Sequence, residues 1–127
     1  MAKILCAEDE PGIAAVIEAA LSNAGHEVLV CSYGRDVLPA IESFMPQALV
    51  LDVMMPGMDG MAILHKLAAN PATSRLPVVV ATALVEIKKN LESFPQVRGF
   101  LPKPFSLEAL VETVHYAITV PWKPPPA

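Results

Sequence analysis

Five polar residues stand where apolar runs stop: Glu8 and Asp9 after Lys3–Ala7, Asp52 after Ala48-Leu49-Val50-Leu51, Thr82 after Pro77–Ala81, and Lys103 just after Phe100-Leu101. A carboxylate at the end of so apolar a run needs a cation, a hydrogen-bond network or water. Taken alone, Asp52 before a proline-glycine turn reads as an ordinary turn residue. If all five positions converge, the reading changes, because three carboxylates in one pocket repel one another by several kcal/mol at low effective dielectric unless a positive partner is present. A divalent cation suits a set of hard oxygen donors, and Mg²⁺ or Mn²⁺ leaves a position open for a phosphate oxygen. Asp52 is then placed as a nucleophile towards a phosphoryl group, with the metal and Lys103 neutralising the transferring oxygens and Thr82 donating a hydrogen bond. A carboxylate is already ionised at neutral pH, so no general base is required. His26, His65 and His115 are scattered along the chain and read as surface or helix-face residues.

The elements that must hold these residues can be followed in order. Lys3–Ala7 reads as a first strand. Pro11-Gly12 opens a helix carrying Ile13, Val16, Ile17, Ala20, Leu21 and Ala24 at helical spacing, which Gly25 closes. Val28–Cys31 forms a second strand and leads to a helix bearing Val37, Leu38, Ile41 and Phe44. Pro39 there requires the helix to begin near Asp36 or to bend. The run at Ala48–Leu51 is apolar on both faces, as in a central parallel strand. Pro56-Gly57 and Asp59-Gly60 then turn the backbone sharply and leave Asp52 projecting into a crevice. Met61, Leu64, Leu67 and Ala68 mark a third helix, Pro77–Ala81 a fourth strand, Val85 to Phe94 a short fourth helix, and Phe100-Leu101 a brief fifth strand. Ser106 is an N-cap, with Glu108 in the first turn of a last amphipathic helix through Leu107, Leu110, Val111, Val114 and Ile118.

Strands alternating with helices predict an α/β fold: a single doubly wound parallel sheet with right-handed crossovers, all strand ends on one rim. In open sheets of this kind, ligands bind at the carboxyl ends of the strands. At 127 residues with 54% hydrophobic and 17% charged residues, the chain fits one domain with a sizeable core. A net charge of −4 and no basic run longer than Lys88-Lys89 argue against direct binding to nucleic acid or an anionic membrane. No apolar run approaches a membrane span, and a cytoplasmic protein is expected. Cys6 and Cys31 sit in strand-like runs without metal-site spacing and read as buried free thiols. Met54, Met55, Met58 and Met61 read as loop and core packing.

The convergence of Glu8, Asp9, Asp52, Thr82 and Lys103, with Met55-Pro56-Gly57-Met58-Asp59-Gly60 and the ending Lys103-Pro104-Phe105, resembles the receiver domain of two-component response regulators over about residues 3 to 119. The resemblance implies a flavodoxin-like sheet of five strands in order 2-1-3-4-5 flanked by five helices. It makes residues 1–120 a receiver and 121–127 a proline-rich, extended tail. It also makes Asp52 the phosphoacceptor, charged by a histidine kinase or a histidine phosphotransfer protein, with Glu8, Asp9, Asp52 and the Met54 backbone carbonyl holding Mg²⁺ or Mn²⁺. Thr82 matches the switch hydroxyl, Ala83 the small residue that gives phosphate access, Phe100 the switch aromatic, and Lys103 the family lysine, whose bond to Pro104 would be cis. No conventional enzyme activity is implied beyond metal-dependent self-phosphorylation from small donors and slow self-dephosphorylation, and the downstream partner or attached effector is left open.

Three departures from the family pattern stand out. Glu8-Asp9 replaces a commoner pair of aspartates, Phe100 replaces a tyrosine, and residues 93–99 lack the usual Gly-Ala step before the fifth strand. Two other readings compete. A constitutive, phosphorylation-independent module of the same fold would be favoured by loss of Asp52, Asp9 or Lys103, all of which are present. A flavodoxin-type flavin carrier needs a phosphate-cradling loop after the first strand, where Glu8-Asp9-Glu10 would repel the phosphate.

Overall fold

The computed structural model describes residues 2–55 and 59–121; the Pro-Gly turn after Met55, with Met58, and the proline-rich tail lie outside them. Five strands, β1 (Lys3–Ala7), β2 (Glu27–Cys31), β3 (Ala48–Leu51), β4 (Val78–Thr82) and β5 (Val97–Pro102), form one sheet in the order β2-β1-β3-β4-β5. Every pairing is parallel. The helices are α1 (Pro11–Asn23), α2 (Val37–Phe44), α3 (Gly60–Ala69), α4 (Lys88–Leu91) and α5 (Leu107–Thr119), with single 3-10 turns ahead of α2 and α4. The expected doubly wound fold and strand order are those observed.

Helices on both faces explain why β3 is wholly apolar and why β1 and β4 are apolar but for Lys3 at one end and Thr82 at the other: β3 and β4 are buried at every position. Alternate residues feed two cores. Leu5, Leu49, Leu51, Val78 and Val80 pack with Leu64, Leu67 and Ile41 on one side. Ile4, Cys6, Val50, Val79 and Ala81 pack with Ile17, Leu21, Leu110 and Val114 on the other. Cys6 and Cys31 fall on opposite faces, because Cys6 pairs in register with Val30 and Ala7 with Cys31. Cys6 is fully buried, whereas Cys31 is only half-buried, since β2 is an edge strand with one neighbour.

Local sequence sets most boundaries. Pro39 is the third residue of α2, in the first turn, where a missing N–H has no intrahelical partner to lose. Gly25, just beyond α1, takes the left-handed φ of 97° that a side chain would resist. Two elements differ from expectation. In place of one helix over 85–94 there is a 3-10 turn (Val85–Ile87) and a single turn of α4, because Leu91 and Phe94 turn inward at a spacing of three and Pro95 bars helix at Phe94. β5 is longer than two residues, reaching back to Val97 through an irregularity opposite Val78 and Val79 that leaves Arg98 without a partner in the ladder. Arg98 instead donates to the backbone carbonyl of Val120, tying the end of α5 to this strand.

Candidate functional site

The parallel sheet places the C-terminal ends of β1, β3, β4 and β5 on one rim, and the backbone of each site residue extends the strand pairing. Glu8 N–H donates to the Cys31 carbonyl (3.1 Å), Asp52 N–H to that of Ala7 (3.0 Å), and Lys103 N–H to that of Thr82 (2.9 Å). The chain then turns, so the side chains meet above the sheet. Lys103 Nζ lies 2.6 Å from Glu8 Oε1 and 3.1 Å from Asp52 Oδ2. The remaining carboxylate oxygens are held by backbone: Met54 N–H donates to Asp52 Oδ1 (2.9 Å) and Glu10 N–H to Glu8 Oε2 (3.2 Å). Thr82 is fully buried, and its Oγ1 accepts from Leu84 N–H at 3.1 Å. Ala83 beside it is exposed. The Lys103–Pro104 bond is cis.

Ligand oxygens of Glu8, Asp9 and Asp52 lie within 4.8 Å of one another. Glu8 and Asp52 are buried, and Asp9 is half-buried. Three carboxylates against one ammonium leave an excess of two negative charges, all on hard oxygen donors, which matches a divalent cation such as Mg²⁺ or Mn²⁺. Burial pushes the Glu8 carboxyl up from its ordinary value, with the Lys103 hydrogen bond working against it. Burial alone would lower the Lys103 pKa, but its hydrogen bonds to Glu8 and Asp52 together outweigh that and raise it. Both carboxylates thus favour the protonated form of Lys103. The sulfur groups take no part: burial drives the Cys6 thiol up to about 12 and that of Cys31 up to about 11.

The sequence profile described as the response regulator receiver domain matches residues 4–115. The chain belongs to the response-regulator receiver family. The receiver is 34% identical over 113 residues to the DNA-binding transcriptional regulator NtrC of Salmonella typhimurium, covering 88% of this chain and 24% of that protein. It is 34% identical to the response regulator MprA of Mycolicibacterium vanbaalenii, covering 86% of this chain and 47% of that protein. The receiver thus spans about a quarter to about a half of the length of these relatives. Among solved structures, the chemotaxis response regulator CheY4 of Vibrio cholerae superposes with a TM-score of 0.84 at 27% identity, covering 92% of this chain and 98% of that one. A putative response regulator from Chloroflexus aurantiacus also gives 0.84, at 30% identity, covering 94% and 98%.

Of the receiver's candidate residues, Glu8, Asp9, Asp52, Thr82, Ala83 and Lys103 lie on the rim, as does Met54, whose side chain is exposed. Phe100 sits two positions before the end of β5, half-buried against the core under α3 and α4, with the Lys88 ammonium 5.7 Å from its ring centroid. Sequence reading had no access to two features. Glu8 is the nearer of Lys103's two partners, a contact across 95 positions that depends on the extra methylene of glutamate. Gln96, at the position of the missing Gly-Ala step, is buried with Nε2 lacking any hydrogen-bond partner among the described residues. A hollow of about 660 Å³ between α2 and α3 is lined by Leu38, Ile41, Met45, Lys66 and Leu76 and lies away from this chemistry.

Proposed function

We propose that this receiver accepts a phosphoryl group on Asp52 from the phosphohistidine of a histidine kinase or histidine phosphotransfer protein and switches its surface in response. The observation that carries the reading is Asp52, buried at a strand end, 3.1 Å from Lys103 Nζ and within 4.8 Å of the Glu8 and Asp9 carboxylates. In the transfer the P–N bond of the donor breaks, an Asp52 oxygen forms the new P–O bond, and the imidazole leaves with its electron pair. Asp9 and Asp52, with Glu8 and the Met54 carbonyl, form the donor set for Mg²⁺ or Mn²⁺, which supplies charge neutralisation on the phosphoryl oxygens. Lys103, already seated against Asp52, offers an ammonium to those same oxygens. Thr82, the last residue of β4, can turn about χ1 to aim its hydroxyl at the phosphoryl group, a movement that carries Oγ1 away from Leu84 N–H.

The transfer is metal-assisted phosphoacceptor chemistry rather than turnover of a separate substrate, and it takes place in the cytoplasm. On this reading residues 1–120 form the receiver unit and 121–127 a proline-rich tail. A downstream protein or an attached effector reads the switched surface, and any contact with DNA belongs to such a partner.

Intact-mass measurement after treatment with acetyl phosphate or phosphoramidate tests the reading. One phosphoryl adduct is expected with Mg²⁺ and none with EDTA or in Asp52→Asn. An adduct that persists in EDTA or in Asp52→Asn removes the assignment.

A further inference from the structure

Phe100 has no hydroxyl and makes no hydrogen bond through its ring, so its orientation rests on packing and on whatever lies over its face. The group over its face is Lys88, 5.7 Å from the ring centroid and within the range of a cation–π contact. Among the described residues the Lys88 ammonium makes no hydrogen bond and no ion pair. Lys88 opens the one-turn α4, directly after the 3-10 turn Val85–Ile87. That turn begins next to Leu84, whose N–H is held by the buried Thr82 Oγ1 at 3.1 Å. The far end of the segment is pinned by Leu91, buried in the core, and by Ile87 against the same cluster. A continuous set of contacts therefore runs from the Thr82 hydroxyl through Leu84 and the 3-10 turn to Lys88, and from Lys88 to the face of Phe100.

We propose that Lys88 is a positioning residue that holds Phe100 in its resting orientation by a cation–π contact and couples that ring to the Thr82 hydroxyl through the segment 84–88. The proposal rests on the reading of Thr82 and Phe100 as the switch pair. When Thr82 gives up Leu84 N–H, the short segment loses its fixed end, Lys88 moves off the ring, and Phe100 is released. A long α4 would spread such a displacement over several turns, whereas one turn transmits it directly to its first residue. In this chain the cation takes the place of a hydrogen bond that phenylalanine cannot form.

The test follows Leu84 amide and Phe100 ring signals by NMR in the full chain, with and without Mg²⁺ and beryllofluoride, an analogue of the phosphoryl group. Beryllofluoride is expected to move both signals. Without it, Lys88→Met should move both part-way in the same direction, raising the population of the switched form by about two- to fivefold, the size of an exposed cation–π contact. Lys88→Arg, which keeps a cation over the ring, should restore the original positions. In Phe100→Leu, adding Lys88→Met should leave Leu84 where the single change put it.

A Lys88→Met protein with unmoved signals overturns the proposal. So does Lys88→Arg behaving like Lys88→Met, or a Lys88→Met effect that persists undiminished in Phe100→Leu. If beryllofluoride leaves Phe100 unmoved in the unaltered protein, the switch reading itself falls, and the proposal with it. The intact-mass adduct on Asp52, expected in every variant, separates these outcomes from loss of the phosphorylation site.

Discussion

Glu8 has one methylene more than the aspartate that commonly precedes Asp9 in this family, and with it Oε1 reaches Lys103 at 2.6 Å while Oε2 stays on Glu10 N–H. Breaking a buried ion pair by removing one member leaves an uncompensated charge. The site is thus held together by Lys103 as much as it is equipped by it. On the rim, Met54 is exposed and Leu84 half-buried, and neither side chain can orient a water for attack on an acyl phosphate. On the proposed reading slow self-dephosphorylation is expected, and Met54→Asn with Leu84→Glu should shorten the phosphoryl lifetime about tenfold, equivalent to about 1.4 kcal/mol in the barrier. Phosphate release after donor removal, at one Mg²⁺ concentration, measures it; equal lifetimes would reject the apolar cover. At the opposite rim, His26 Nδ1 accepts from Ala2 N–H at 3.1 Å, and burial, aided by neighbouring positive charge, lowers its pKa below the ordinary 6.5. The unfolded chain therefore takes up a proton at higher pH than the folded one. The stabilising contribution is complete above 6.5 and is lost as pH falls from there through the folded-state value. Denaturant midpoints at pH 7.5 and 5.5 should differ more in the unaltered protein than in His26→Gln, whose amide oxygen can still accept but does not titrate. Asp9, Asp52, Thr82 and Lys103 were legible in the sequence because each follows an apolar run. The Glu8–Lys103 contact was not, since no local pattern encodes a distance between strand ends 95 positions apart.

Gly99 shows how closely α5 is fitted to β5: a Cβ built there would stand 2.3 Å from Thr113 Cγ2. Gly99→Ala makes the Thr113 side chain, the helix or the strand give way, and overpacking of this kind costs about 1–3 kcal/mol. Urea denaturation should read that loss, and Gly99→Ala combined with Thr113→Ser, which removes the clashing methyl, should recover most of it. An unchanged midpoint in Gly99→Ala would mean that the Thr113 side chain or α5 yields without loss of packing. Gly60 plays the same part at the start of α3, where a Cβ would meet the Val53 backbone at 2.6 Å while Asp59 caps the helix through Met61 N–H and Ala62 N–H. Helices with a complete apolar face and a capping signal were readable from the sequence, Ser106 ahead of α5 among them. α4 was overextended because Val85, Ile87 and Leu91 mimic helical spacing, while the 3-10 turn that breaks it is fixed by how Leu91 and Phe94 meet the core. β5 was read as too short because Gly99 and Arg98 carry little strand signal; its length comes from pairing with β4.

Because all five strands run the same way, every strand end that bears chemistry shares one rim, and the alternation of side chains that makes this possible also divides the interior in two. The sheet backbone separates the two cores along its whole width. Leu49 and Leu64 share a core, while Leu110 belongs to the other. Stability losses from Leu49→Ala and Leu110→Ala should therefore add to within about 0.5 kcal/mol, whereas Leu49→Ala and Leu64→Ala should depart from additivity by more than that. Equal deviations in both pairs, measured by double-mutant cycles in urea, would mean that strain passes freely through the sheet. For a lineage accumulating substitutions, this geometry makes epistasis one-sided: a change beneath α1 and α5 constrains what is later tolerated beneath α1 and α5, and leaves the layer under α2, α3 and α4 free to drift on its own.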